Sequence, residues 1–367
     1  MEKIKYPLEE SQIYLLKTIV GEDKHIIENY GKWISSVNLD NYIDAESYGM
    51  IPTLYKRLAS IGYNDDNMNR YLGIYRKSFY KNSIHFYNLQ QVGQRLNETG
   101  IPFGILKGTA YTMKYHKDTG IRSMNDLDIF VLKSDIPEAV SILNRIGFHS
   151  STLYDTCENI DLRMSFSFKN QKGFEIDLHW IPDDNSNQFL QMGRTIQHLY
   201  KNVDLRLTRA EDSVILLLLH ASYSNYTYNI RWIFDLHTIL IHENRFDWDQ
   251  IFNKFADTEY PLVASIMLTA YNKVSSIKVS DDIIKKLATA GNNRTCRLHA
   301  RKCFIPPKTF LGKLSFYHHC RRHSDKNILI RIITFPSYVL MMSRFETYGE
   351  MIKSFTKKYI FRINRSA

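Results

Sequence analysis

At 367 residues, 44% hydrophobic and 23% charged, the chain has the composition of a soluble globular protein, long enough for two or three modules and a substantial core. Four cysteines, Cys157, Cys296, Cys303 and Cys320, show no Cys-x-x-Cys spacing and fit a reducing compartment better than a disulfide framework. The net charge of +10 is uneven: residues 291–367 hold 16 Lys and Arg against 3 Asp and Glu, so the remainder is slightly acidic.

No positively charged leader followed by an apolar run opens the sequence, so a cytoplasmic location is expected. Residues 1–98 read as an N-terminal helical region. Apolar residues recur at three- and four-residue spacing over 8–20, 43–59 and 68–96, and Asn97-Glu98-Thr99-Gly100 supplies the stop. Residues 99–182 change character. A short strand is expected at 101–106, then a helix or turn over 108–116, a polar loop at 117–125 and a strand from Asp126 to 132. Ser134 is expected to cap the next helix, which has Pro137 in its first turn and closes at Gly147. Strands at 148–154, 162–168 and 174–180 follow, the last two joined by the hairpin turn Lys169-Asn170-Gln171-Lys172-Gly173.

The expected fold class is α+β: a small mixed sheet of order β-α-β-α-β-β, helices on one side, embedded between helical regions. Residues 183–290 read as a helical region completing a cleft. Thr208 and Glu211 form a capping-box pattern before the apolar run 214–219, and a second helix is expected at 230–242. Residues 291–367 read as a basic helical C-terminal region suited to an anionic contact: nucleic acid, a membrane surface or an acidic carrier. Its apolar stretch, 328–342, is interrupted by Arg331 and Pro336 and is too short to span a bilayer.

The chemistry concentrates on two strand-like segments. In Asn125-Asp126-Leu127-Asp128-Ile129-Phe130-Val131, alternation puts Asp126 and Asp128 on one face and Leu127, Ile129 and Val131 on the other. In Phe174-Glu175-Ile176-Asp177-Leu178-His179-Trp180, the same rule groups Glu175, Asp177 and His179. Carboxylates are rarely buried unless paired or metal-bound, so such a face suggests a site for hard divalent cations. Glu175 reads as solvated or salt-bridged. His220 reads as a core histidine at a helix end. Arg231, Trp232 and Asp235 read as a packing Trp beside an i,i+4 ion pair. The set Cys296, His299, Cys303, His318, His319, Cys320 and His323 matches no compact zinc spacing. Phe130 stands where an Asp-x-Asp-x-Thr phosphatase has its threonine. A sugar-nucleotide glycosyltransferase would place an α/β half before the motif, where this chain has mostly helix.

The ordered set Leu106-Lys107-Gly108, Arg122-x-Met124-x-Asp126-Leu127-Asp128 and Glu175-Ile176-Asp177-Leu178-His179-Trp180 resembles the polymerase-β-type nucleotidyltransferases, and among them a poorly characterised bacterial branch. Gly49-Met50-Ile51-Pro52-Thr53-Leu54-Tyr55, Arg231-Trp232-x-x-Asp235-Leu236 and Asp247-Trp248 also fit that branch, so the resemblance covers roughly residues 40–260. It implies a nucleotide-binding (ATP-binding) transferase that moves a nucleoside monophosphate from an NTP to an acceptor. That acceptor is a small molecule, a tRNA or a protein side chain. It also implies two Mg²⁺ or Mn²⁺ ions, with Asp126 and Asp128 binding both and Asp177 binding the ion that activates the acceptor hydroxyl. The turn Lys107-Gly108-Thr109 would bring backbone N–H groups to the phosphates, and Lys107 and Arg122 would grip the triphosphate. A catalytically silent binding or regulatory module of the same fold is the alternative. The chain departs from the superfamily in having Gly108-Thr109 in place of Gly-Gly or Gly-Ser, and in a longer interval from Gly108 to Asp126.

Overall fold

The computed structural model describes residues 4–40, 43–150, 160, 165–180, 195–222, 229–243, 245–305, 349 and 353. Helices come first, as the periodicity predicts: α1 (Glu10–Val20), α2 (Ile26–Ser36), α3 (Ala45–Ser60) and α4 (Met68–Glu98). The caps follow from side-chain chemistry. Glu9 and Gln12 form a capping box for α1, and the Asp44 carboxylate accepts from the Ser47 N–H to open α3. Strand β1 (Phe103–Ile105), helix α5 (Lys107–Tyr115), strand β2 (Asp126–Val131) and helix α6 (Ile136–Arg145) come next. Strands β3 (His149–Ser150), β4 (Ser165–Lys169), β5 (Glu175–His179), β6 (Ile196–Tyr200) and β7 (Val203–Leu207) follow. Then come α7 (Ala210–Ser222), α8 (Arg231–His242), α9 (Trp248–Ala256), α10 (Pro261–Val274), α11 (Asp281–Ala290) and α12 (Arg294–Phe304).

The described strands form one mixed sheet in the order β3-β4-β5-β2-β1-β7-β6, which puts β2 at its centre. The pairs β2–β5 and β1–β7 are parallel; the other four are antiparallel. The α+β class holds, but the sheet is larger than the sequence suggests. Strands β6 and β7 lie in the segment expected to be helical and extend the sheet past residue 182. Their hairpin turns on Lys201 and Asn202, both at positive φ (46° and 67°), without the glycine that usually marks such a turn. Ile196 and Leu199 of β6 are exposed, so that strand lacks a clean apolar alternation. The expected β4–β5 hairpin does form, with the Asn170 side chain accepting from the N–H groups of Lys172 and Phe174, each at 3.0 Å.

Helices cover both faces of the sheet rather than one. Leu89, Val92 and Leu96 of α4 and Ile142 and Leu143 of α6 pack with Leu127, Ile129, Val131, Ile176 and Leu178. On the other face Leu216 of α7 meets Leu106 and Phe130. A second core joins the two helical regions: Leu15, Trp33 and Leu54 pack with Leu218, Trp232, Phe255 and Met267. Residues 1–98 and 183–290 therefore both contribute to one interior. Helix α4, 31 residues and about 46 Å long, reaches both cores: Met68 and Tyr71 lie in the helical one, Phe86 to Leu96 against the sheet.

Two expected caps are not made. Ser134 falls in a 3₁₀ turn, Lys133–Asp135, with its hydroxyl on the Asp135 carboxylate, and Asp135 takes the N-cap position. Helix α7 starts one residue too late for Thr208 to cap it. Thr208 shares a hydrogen bond with the Ser213 hydroxyl (2.6 Å), and Glu211 accepts from the Asp247 N–H (3.2 Å). The expected strands at 148–154 and 162–168 are described only as β3 and β4; residues 151–159 and 161–164 lie outside the described residues, as do 328–342, Cys157, His318, His319, Cys320 and His323. Among the described residues no helix is long and apolar enough to cross a membrane.

The contact of α4 with the sheet is tight at Gly93, where an added Cβ would come within 2.4 Å of Val203 Cγ1 and 2.9 Å of Phe103 Cζ. Gly73, in the same helix, has nothing within 4 Å of that position. Gly73→Ala is therefore expected to stabilise the protein by about 0.5–1 kcal/mol, and Gly93→Ala to destabilise it by about 1–3 kcal/mol through overpacking. Urea-unfolding midpoints moving in opposite directions would bear this out; equal gains would refute the α4–β7 contact.

Candidate active site

The central parallel pair sets the site. In β2–β5 the register aligns Asp126 with Glu175, Asp128 with Asp177 and Phe130 with His179. Strand parity turns the apolar set of each strand to the α4–α6 core, which leaves the acids on the opposite face. Side by side in the register, the donor atoms of Asp128, Asp177 and His179 all lie within 4.8 Å of one another. Glu175 is diverted: it pairs with Lys169 across the hairpin, in line with the salt-bridged reading.

Each acid meets a different environment. Asp128 is 4% exposed. Burial alone would raise its pKa, but the Lys107 ammonium at 2.7 Å and His179 Nε2 at 2.8 Å, both on Oδ1, hold the carboxyl well below the usual range. Burial opposes the charge of the ammonium, but the Asp128 charge and hydrogen bond, with the charges of Asp126 and Asp177, together make it keep its proton more firmly than usual. Asp177 accepts from the Ser167 hydroxyl, its neighbour in the β4–β5 register. Asp126 has no ion pair among the described residues, and burial, then the charges of Asp128 and Asp177, push its pKa up to about 7.

Lys107 reaches Asp128 from the first residue of α5, where its φ of +50° is in the left-handed region that favours glycine. The next residue, Gly108, leaves room for Arg122: an added Cβ would sit 2.0 Å from its Nη1. Thr109 is buried with its hydroxyl toward Met124 Sδ at 3.6 Å, so its backbone rather than its side chain is available to a ligand. Arg122, 8% exposed, gives Nε and Nη2 to Asp235 at 2.6 and 2.8 Å, a forked pair between the loop before β2 and α8.

Lys107, Gly108, Arg122, Asp126, Asp128 and Asp177 line one cavity of about 210 Å³, joined by His220 of α7 and by Arg231, Trp232 and Asp235 of α8. That volume is below the ~300–1,000 Å³ of a pocket for a whole ligand. A larger cavity, about 1,450 Å³, lies between the N-terminal segment, α10 and α12, lined by residues such as Tyr6, Ile266 and Leu298, and has no acidic lining residue. Asp126 and Asp128 of β2 and Asp177 of β5 lie in the smaller one.

The cavity thus gathers all three predicted aspartates with Lys107, Gly108 and Arg122. The i,i+4 pairing of Arg231 with Asp235 is not what forms: Asp235 turns to Arg122, 113 positions away in sequence. His220 is exposed at the cavity wall, not a core histidine, and the nearby Lys107 charge lowers its pKa. Two further polar contacts of the site had no role assigned from sequence. Ser167 on Asp177 follows from hairpin register once the turn is placed; His179 on Asp128 does not follow from strand parity alone.

A crystal structure of an antigenic nucleotidyltransferase-like protein from Paracoccidioides brasiliensis is similar at 12% identity and a TM-score of 0.31, over 51% of this chain and 91% of that one. No curated protein matches the chain. Matched over residues 42–272, a span that holds the three aspartates, Lys107, Arg122 and the start of α8, the chain belongs to the family described as uncharacterised nucleotidyltransferase.

Proposed function

We propose that the protein is a metal-dependent nucleotidyltransferase that moves a nucleoside monophosphate from an NTP to an acceptor hydroxyl with release of pyrophosphate. The observation that carries this reading is the in-register placement of Asp128 beside Asp177, with Asp126 on the same face, over a cavity capped by the start of α5. The donor set fits a hard divalent cation. The donor atoms of Asp128, Asp177 and His179 lie within 4.8 Å of one another, and Asp126 shares their face. Lys107 is ion-paired to Asp128, and burial, then the charges of Asp128 and Asp177, raises the pKa of Asp126 to about 7. Asp126, Asp128 and Asp177 would hold two Mg²⁺ or Mn²⁺ ions, whose charge would stabilise the attacking and leaving oxygens.

In the transfer, the acceptor oxygen bonds to the α-phosphorus, the bond from that phosphorus to the α–β bridging oxygen breaks, and pyrophosphate leaves with the electron pair. Asp177, with one oxygen fixed by Ser167, takes the acceptor proton. The backbone N–H groups at Gly108 and Thr109, at the start of α5, serve the phosphates, as anions favour a helix N-terminus. Arg122, tied to Asp235 through Nε and Nη2, has its Nη1 on the Ser123 carbonyl at a long 3.5 Å, which leaves that nitrogen's second N–H for a phosphate. Lys107 supplies charge from its place on Asp128. The acceptor class (small molecule, tRNA or protein hydroxyl) would be set by surfaces outside this cavity.

Titration calorimetry of the four NTPs with Mg²⁺ or Mn²⁺ tests the reading. One NTP is expected to bind wild type only with metal, and to lose that binding in folded Asp126→Ala/Asp128→Ala. If no NTP binds wild type with either metal, the silent-module alternative replaces it.

Asp126 also makes a pH prediction. Its carboxyl titrates near 7 in the fold, against about 4 when unfolded, so the folded state binds the extra proton between those values. The metal-free protein is therefore expected to lose stability as pH rises from about 4 to about 7, and to change no further from this group above that. Asp126→Asn should flatten that part of the profile. Urea midpoints at pH 5 and pH 8 for both proteins check it: an unchanged slope in the variant would locate the dependence elsewhere.

A further inference from the structure

Three Lys or Arg side chains line the cavity, and they are not equivalent. Lys107 is paired with Asp128 and Arg122 with Asp235. Arg231, the first residue of α8, has no ion pair among the described residues. Its Nη1 donates to the Ser123 carbonyl at 3.0 Å; its Nε is buried without a partner, and Nη2 has no hydrogen bond among the described residues. Burial, then the charge of Arg122, destabilises its cationic form, while Asp235, Glu46 and Asp126 act on it only at longer range. A guanidinium held in partial burial with most of its donors unused is costly to the fold unless a ligand completes it. Its position is nevertheless built. Gly49 of α3 lies against it, so that an added Cβ would come within 2.8 Å of Nη2, and Ser123 anchors the opposite edge.

We infer that Arg231 is the principal side-chain contact for the polyphosphate of the nucleotide, positioned by Gly49 and the Ser123 carbonyl. The assignment rests on the proposed function and deepens it. It gives Gly49 a physical role, since a side chain there would push the guanidinium from its present position. It also separates two tasks among the arginines: Arg122 is largely committed to holding the loop before β2 on α8, and Arg231 is free to meet the anion.

The test compares wild type, Arg231→Gln and Gly49→Ala by calorimetry, with inorganic tripolyphosphate and with the four NTPs plus Mg²⁺, beside thermal unfolding of each protein. Arg231→Gln is expected to weaken both tripolyphosphate and the preferred NTP by roughly tenfold to a hundredfold, the size of one charge-assisted contact. Its melting temperature should hold or rise, because a packing arginine would lower it and an unsatisfied cation would not. Gly49→Ala keeps the charge but crowds the guanidinium, and should weaken both probes in the same direction. NTP binding that survives Arg231→Gln within twofold overturns the assignment and leaves the nucleotidyltransferase reading intact. Arg231-dependent binding of tripolyphosphate with no binding of any NTP overturns the nucleotidyltransferase reading and, with it, the nucleotide as the ligand, while Arg231 stays an anion contact. Binding of neither probe to wild type overturns both. If Arg231→Gln fails to fold, Gly49→Ala decides alone: weakened binding supports the assignment, and wild-type affinity removes it.

Discussion

Three carboxylates on adjacent central strands are an electrostatic liability that the rest of the structure is arranged around. Like charges in a partly desolvated site disfavour ionisation, and the strand register offers no way to separate Asp128 from Asp177. The fold stabilises them unequally. Asp128 receives a lysine and a histidine, Asp177 a hydroxyl, and Asp126 none of these. Delivering Lys107 to Asp128 requires a non-glycine residue in the left-handed region at the start of α5, a conformation that costs about 1 kcal/mol or more. The ion pair made from it is the compensation, and it fixes the turn from β1 into α5 at the edge of the cavity.

The segment that brings Arg122 to the site has little regular structure of its own, and α4 holds it. Asn82, fully buried in the middle of that helix, donates to the carbonyls of Thr119 and Arg122 at 2.5 and 2.7 Å and accepts from the Met124 N–H at 3.3 Å. Tyr75 and Lys56 bind Asp118, and Thr53 donates to the Ile121 carbonyl. A polar loop whose backbone groups are answered this way behaves as part of the scaffold. The same long helix packs its C-terminal half on the sheet and its N-terminal end in the helical core, so the position of Arg122 is coupled to both interiors.

Much of this was legible in the residues. Alternation put Asp126, Asp128 and Asp177 on one face, because the apolar partners Leu127, Ile129, Ile176 and Leu178 had to share the other. The glycine and asparagine in 169–173 marked the hairpin that sets Ser167 beside Asp177. Strands β6 and β7 were harder to see, since an edge strand with exposed Ile196 and Leu199 and a Lys-Asn turn carries neither clean periodicity nor a glycine signal. The Arg122–Asp235 pair was out of reach for a different reason. A single sequence ranks local pairings, and the i,i+4 choice of Arg231 with Asp235 is good helix chemistry. It loses because Asp235 and Arg122 are both buried, where a forked pair satisfies four polar atoms at once.

The residual imbalance is informative in itself. Lys107 has taken Asp128, Arg122 has taken Asp235, and the Ser167 hydroxyl has taken Asp177. One acid on the cavity wall, Asp126, then has neither an ion pair nor a side-chain hydrogen bond among the described residues, and one base, Arg231, has no ion pair among them. A site shaped for stability alone would bring those two together. Here they remain apart on separate elements, β2 and the start of α8, each destabilised in its charged form by burial. An unmatched carboxylate beside Asp128 and an unmatched guanidinium across the cavity are complementary to a ligand that carries positive charge at one end and negative charge at the other. A metal-bound polyphosphate has that distribution, and binding it would relieve both strains together.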